Sequence, residues 1–557
     1  MQIQPIHQTV GQLLSGRLFK IPQYQRAYSW GRKQREDLLQ DIEKVYKAGP
    51  DASHFMATIV GLRKGKLQIA ADEFVELDIV DGQQRLTTLV LLLKAIEIEL
   101  SQGDAKSKKL SGEIRGLLIK GDDLRMLLLQ TNHDASQIFV DYVRGGRCST
   151  GKSVDIAADK NLVDGIEDCT AFVKKWVKSS RSLIELVALL RNRISLIFHE
   201  IEDEGLVYSV FEVLNSRGLD VTWFDKLKSL LMAIVFEHGD TGNRATTIDE
   251  LHNLWREIYR TIGLRQTLNK ETVRFAGTLK AKKQPNRPLG EESAVDELVS
   301  QCDNSAKKAV ACSKWILQVT KAEEKLLANH RLRSATQIVQ ARLTAVAIIL
   351  REFPEKTESS ILRRWENVTF RIYGLFDKDG RTAVGDYVRL AWKIHNELLS
   401  PEEILESLAK LGEIAPIEAA VKELMNTDCY SSWTEELRYF LFRHAEFLAK
   451  SMGQQLNNLQ WNKIWQDEPS KSIEHIKPQS SEVAYIHRLG NLTILPPGVN
   501  SKLQDKDPRD KAKTYESCGL LDIVGVAKMI GKGKWDRTAV ERREQELIKW
   551  AMTEWAD

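Results

Sequence analysis

Asp78-Ile-Val-Asp-Gly-Gln-Gln-Arg-Leu-Thr-Thr88 lies between a β-like run, Leu67 to Val80, and an apolar run, Leu89 to Leu100, that reads as a helix. The order is strand, tight turn at Gly82, helix N-terminus. Such a junction gathers free backbone N–H groups and the positive end of a helix dipole, which suits a phosphate. Gly82 lets the backbone approach closely. Arg85 offers a bidentate contact, and Gln83 and Gln84 offer donors or a means of orienting a water. Asp81 stands where it can hold Mg²⁺ or cap the helix. This is phosphate-binding chemistry without a Walker A sequence.

The flanks extend the pattern. Upstream, Ile21-Pro-Gln-Tyr-Gln-Arg-Ala-Tyr-Ser-Trp30 reads as an extended segment set by Pro22. It offers Gln25 and Arg26 to an anion, and Ser29 is expected to cap a helix running through Glu36 to Ile42. Phe55 to Leu62 reads as a further strand. Downstream, Arg193 to Ile201 reads as a buried strand. A helix is then expected from Val207 to Leu214, ending at Asn215-Ser-Arg-Gly218 with Gly218 as its C′ residue. Asn215 and Arg217 are expected to face the phosphate site across from Asp81 to Arg85. Gly146-Arg-Cys-Ser-Thr-Gly-Lys-Ser153 satisfies the Walker A expression but lacks a strand before it, so it reads as an exposed loop.

The composition is that of an ordinary globular protein, 43% apolar and 28% charged over 557 residues. A formal net charge of +3 means that a nucleic-acid partner would need local basic patches. The six cysteines have no C-x-x-C spacing, so free thiols in a reducing compartment are expected. Met1 to Val10 has no secretory pattern and no apolar run is long enough to span a bilayer, so a cytosolic protein without a membrane partner is expected. From about His238 to Ser451 the periodicity is helical, with basic clusters at Lys280 to Arg287 and Arg331 to Arg342.

Near the end stand Ser472-Ile-Glu-His-Ile-Lys-Pro-Gln-Ser480, Leu489-Gly-Asn-Leu-Thr-Ile-Leu495 and Asn500-Ser-Lys502. They read as strand (472 to 476), loop, strand (492 to 495), loop, then a helix from Asn500 or a little beyond. A carboxylate beside an imidazole, followed by two asparagines, can hold one divalent cation and aim one base at a phosphodiester. Imidazole titrates near ~6.5, so its neutral form accepts a proton at cellular pH. Mg²⁺ takes oxygen ligands and keeps waters, so one carboxylate and one amide oxygen beside a substrate phosphate suffice. Between Lys471 and Lys513 there are eight Lys or Arg against five Asp or Glu, the right sign for a phosphodiester substrate.

Both regions resemble one family. The tract at 21–30, the helix after it, the strand pair, DGQQRLTT at 81–88 and FEVLNSRGLDVTWFDKLKS at 211–229 resemble the N-terminal domain of GmrSD-type modification-dependent restriction enzymes and their relatives of the SspE and BrxU kind. That domain looks like a variant of the ParB-type nucleotide-binding fold, and the resemblance implies nucleotide binding and hydrolysis at Asp81 to Arg85. The C-terminal tract resembles the HNH, or His-Me finger, nucleases found beside such domains. The resemblance implies His475 as general base, Glu474 and Asn500 as ligands of Mg²⁺ or Mn²⁺, and Asn491 as the brace that helps orient His475. Arg488, Lys502 and Lys511 are the candidate phosphate contacts. Glu474 stands where Asp is commoner and Asn500 where His is commoner, which makes a zinc-type site less apt. His487 reads as a substrate contact or a structural residue.

The expected architecture is therefore α+β and predominantly helical. A ParB-like α/β domain spans 1–237, a helical coupling region 238–451, and a ββα-metal nuclease domain 452–557. The expected function is an NTP-regulated, divalent-metal-dependent endonuclease of antiphage defence. Its expected partners are double-stranded DNA, modified phage DNA above all, and a nucleoside triphosphate of undetermined base; a homo-oligomer is compatible. The alternatives are a nucleotide-dependent DNA-binding switch that does not cut and an RNA-directed nuclease toxin.

Overall fold

In the computed structural model the described residues are 5–22, 25, 27–121, 125–130, 135–148, 156–202, 222–240, 242–265, 267–329, 332, 335–425, 427–431 and 433–556. The architecture is α+β and predominantly helical, as the sequence patterns require. The chain divides into two compact units, 1–274 with 291–320, and 275–290 with 321–557. The helical stretch of 238–451 is thus shared between them.

The first unit is built on a mixed six-stranded sheet. Its strands are β1 (Pro5–Thr9), β2 (Arg17–Ile21), β3 (His54–Ile69), β4 (Asp72–Asp81), β5 (Leu128–Gln130) and β6 (Ile194–Ile201), in the spatial order β1-β6-β3-β4-β2-β5. β3 and β4 form an antiparallel hairpin, while β3–β6, β4–β2 and β2–β5 are parallel pairs. The single long run expected over Leu67 to Val80 is interrupted because the chain turns at Ala70, whose φ is 52°.

Helix α1 (Arg32–Lys47) follows the extended segment, and α2 (Gln83–Ser101) follows β4. Helix α2 is apolar almost all round, which is why it becomes a core helix. It packs against α3 (Ala157–Lys178) and the helix Ala105–Leu118. Helix α4 (Leu183–Asn192) packs against α1 and β6, and α5 (Trp223–His238) packs against the helices Arg244–Ile262 and Glu291–Ser300. Gly82 is the N-cap of α2 at φ 90°, and a Cβ there would lie 2.8 Å from Cγ1 of Ile59. The turn therefore needs glycine both for its left-handed backbone and for the contact with β3.

Ser29 does not cap α1. The helix begins only at Arg32 with Gly31 as its N-cap, and the Ser29 N–H bonds to Oε1 of Gln84 at 2.8 Å.

The second unit has its own apolar core, with Trp365, Tyr439, Phe440, Tyr515 and Trp555 among its buried side chains. Helix α6 (Thr434–Met452) leads to a two-stranded ribbon, β7 (Ile473–His475) and β8 (Leu492–Ile494). Helices α7 (Pro497–Leu503), α8 (Pro508–Cys518), α9 (Leu521–Gly531) and α10 (Arg537–Glu554) follow. α7 begins before Asn500, with Pro497 at its first position, where the missing N–H costs nothing.

Candidate active site

The ribbon pairs Leu492 with His475, Thr493 with Glu474 and Ile494 with Ile473 in antiparallel register. Successive strand residues point to opposite faces, yet Glu474 and His475 both line one open cleft of about 600 Å³. Both are in the cleft lining, at the end of β7, where the Ile476 N–H still bonds to the Asn491 carbonyl at 2.9 Å. Asn500, on α7, lines the same cleft.

Each of the three is held for a definable reason. The Oε1 of Glu474 accepts from the Tyr515 hydroxyl at 2.7 Å and pairs with the Lys511 ammonium at 2.7 Å. Burial nevertheless keeps the Glu474 carboxyl above its ordinary range, against the pull of Lys511 and Tyr515. Burial and then the charge of Glu474 push the Tyr515 phenol up, so it remains a donor. Nδ2 of Asn500 donates to the carbonyls of Lys471 and Ile473, both at 3.0 Å. Two carbonyl acceptors fix the amide with its nitrogen toward them and leave Oδ1 turned away.

Nε2 of His475 lies 3.0 Å from Nδ1 of His487. Tyr430 packs edge-on to His475 and stacks on His487, with centroids 4.5 and 5.2 Å apart. Burial, then His487 and Lys511, push the His475 imidazole down to about 4, so it is neutral at cellular pH.

Asn491 uses its whole amide. Oδ1 accepts from the Lys477 N–H at 2.9 Å and the Trp535 indole at 3.0 Å, and Nδ2 donates to the carbonyls of Lys477 and Ile486. It clamps the loop between the strands. Arg543 holds the same loop from α10 through the Gly490 and Leu492 carbonyls, and is itself paired with Asp522. Gly490 is pressed against α10 so closely that a Cβ would lie 2.0 Å from the Val540 carbonyl oxygen. The Gly490→Ala variant is expected to lose about 1–3 kcal/mol of stability through overpacking. Urea unfolding checks this, and an unchanged midpoint would mean that the helix and loop do not meet this way.

The candidate phosphate contacts separate. Lys502 is exposed on α7 without an ion pair to a described residue. Lys511 is 1% exposed and turned inward, bonded to Glu474 and to the His475 carbonyl. Arg488 is held by Glu541 and Glu544. Tyr430, His487 and Tyr515 are the site residues that the motif did not supply. Only His487 had a local signal, an imidazole in the same tract.

At the other motif the side chains knit the backbone together. Gln84 accepts from the Ser29 N–H and donates to the Ala27 carbonyl at 3.0 Å. Gln83 donates to Gln25 Oε1 at 2.9 Å, and Gln25 donates to the Val80 carbonyl at 2.7 Å. The buried Lys228 of α5 donates to the Gln25 carbonyl at 3.2 Å. Asp81 and Arg85 are half-buried, with no hydrogen bond or ion pair from their side chains to a described residue. Arg26, Asn215 and Arg217 lie outside the described residues, as do Lys152 and Ser153 of the Walker-like loop.

A model of the GmrSD restriction endonuclease N-terminal domain matches residues 10–232, and one of the C-terminal domain of GmrSD restriction endonucleases matches residues 416–550. The chain belongs to the GmrSD restriction endonuclease family. No curated protein matches it. The first GmrSD segment contains Asp81 to Arg85, and the second contains the cleft with Glu474, His475 and Asn500. Family membership makes the protein a restriction endonuclease of defence whose partner is DNA. Among the described residues no helix is long and apolar enough to cross a membrane, and no three His, Cys, Asp or Glu side chains are grouped as a metal cage.

Proposed function

We propose that this GmrSD-type protein is an HNH-type, divalent-metal-dependent DNA endonuclease under nucleoside triphosphate control, directed at modified foreign DNA. The observation that carries the reading is the convergence of a neutral imidazole, a carboxylate and an asparagine whose amide is fixed by two carbonyls on one cleft.

His475 is the general base. In the tautomer whose Nε2–H donates to Nδ1 of His487, the lone pair on Nδ1 accepts the proton from water; in the other, Nε2 is itself the acceptor, facing His487 and the Gln479 amide. Lys511 and Tyr515 hold one oxygen of Glu474, and no described residue bonds the other. That oxygen and Oδ1 of Asn500 are hard donors of the kind Mg²⁺ or Mn²⁺ takes, so the residues fit such an ion. When bound, the ion supplies polarisation of the phosphate and stabilisation of the leaving oxygen. Asn491 keeps the loop, and with it His475, in place. Exposed Lys502 is the phosphate contact that remains open to substrate.

Nucleotide control rests on the first segment. Gly82 opens α2 with its N–H groups free of a side-chain cap, and Asp81 and Arg85 flank it without partners among the described residues. If this junction takes a triphosphate, Arg85→Ala abolishes hydrolysis and leaves the fold intact. Normal turnover in that variant removes the nucleotide part of the reading.

The nuclease part is tested with purified protein, supercoiled plasmid and Mg²⁺ or Mn²⁺, across nucleotides and differently modified DNAs, with His475→Ala as zero point. Cutting confined to modified DNA is the expected result. Equal absence of cutting in wild type and variant favours a non-cutting DNA-binding switch. Cleavage of RNA with duplex DNA left intact favours an RNA nuclease.

A further inference from the structure

The basic cluster Lys280 to Arg287 lies in the second unit, outside the cleft residues. Residues 275–290 contain four cations and no carboxylate. The segment is not a loose tail. Its base is tied to the helix Val384–Asn396 by the Trp392 indole on the Ala281 carbonyl at 2.8 Å and by Asn396 on the Leu279 carbonyl at 2.8 Å. Its tip is tied by Arg389 on Oδ1 of Asn286 at 2.7 Å, and it closes on itself through the Leu289 N–H and the Thr278 hydroxyl. Pro285 and Pro288 stiffen it further.

Pinned in this way, the loop exposes Lys282, Lys283 and Arg287, and the helix adds Arg389 and exposed Lys393. The carboxylates of the helix and its C-cap are Asp386, which pairs with Arg389, and exposed Glu397. The positive field extends inward. Burial, then Lys280 and Arg351, push the His395 imidazole down to about 4. Arg351 in turn donates to the Ile394 and Leu399 carbonyls at the end of the helix.

We propose that this cationic ridge holds the phosphate backbone of duplex DNA, as a sequence-independent contact additional to the cleft. The proposal rests on DNA being the partner and is independent of the metal and nucleotide parts of the functional reading. A near-neutral chain needs such local patches to meet a polyanion. A ridge that is already ordered binds without first paying the cost of ordering a loop. Phosphate contacts of this kind position the duplex and leave recognition of the base to other residues.

The test is binding of a short labelled duplex to the full chain in EDTA, so that cutting plays no part, over a series of salt concentrations. The variant is the triple Lys282→Gln, Lys283→Gln, Arg287→Gln. All three side chains are exposed, so the fold should persist. The control, Lys356→Gln, Lys410→Gln, Lys422→Gln, removes the same charge from exposed lysines elsewhere in the second unit. Affinity is expected to fall about tenfold or more in the ridge variant, and the salt slope to fall by about 0.9 for each phosphate no longer neutralised. Unchanged affinity and slope, or an equal loss in the control, overturns the proposal. A loss seen for duplex RNA but not for DNA overturns it in favour of an RNA-binding surface.

Discussion

Replacing His475 by alanine is expected to lower the rate of DNA cleavage by about 10²–10⁴-fold, the usual contribution of a positioned general base. The structure separates this loss from misfolding. The side chain meets Tyr430 and His487, but the bond that ties the strand end to α8 is made by the His475 backbone carbonyl with Lys511, and alanine keeps it. The ribbon register and the Asn491 clamp are likewise backbone-centred on this residue's neighbours. Single-turnover nicking of plasmid gives the rate, and a thermal melt shows whether the fold persists. A variant that melts normally and cuts at the wild-type rate would remove His475 from the chemistry.

The largest effect on stability is expected at Arg443 of α6. Arg443 and Glu366 are both 0% exposed in their side chains and pair directly, with Glu554 of α10 as a second carboxylate partner. The Tyr439 hydroxyl donates to the same Glu366 oxygen. Arg443→Ala leaves Glu366 buried without its main counter-charge, which costs about 3–5 kcal/mol. The double replacement Arg443→Met, Glu366→Met removes the charge with its partner and is expected to cost clearly less. Urea unfolding of the two variants makes the comparison. A loss under about 1 kcal/mol in Arg443→Ala would mean that water reaches Glu366 and relieves it.

What the sequence discloses here follows the reach of each signal. Strands β3, β4, β6, β7 and β8 are visible because β-branched runs are local. The glycine turn before α2 is visible for the same reason. The cleft trio is legible because Glu474, His475 and Asn500 fall within one short tract. The partners that tune them are not. Tyr515 and Lys511 come from α8 and Tyr430 from before α6, and no periodicity or spacing ties them to the imidazole or the carboxylate. Gln84 shows the same limit. Its side chain reads as a possible ligand contact, yet it bridges to Ala27 and Ser29, more than fifty residues earlier, in the extended segment before α1. Lys511 fails as a surface cation because its exposure depends on how α8 is turned, which a charge count does not record.

The chain enters the second unit at 275, leaves it at 291 and returns at 321. A gene cut at any single codon between 291 and 320 would therefore sever the second unit from the sixteen residues that carry the basic ridge. In chain order the two units are interleaved and not consecutive. A fragment intended to carry the cleft with its ridge must start upstream of Phe275 and bring 291–320 with it.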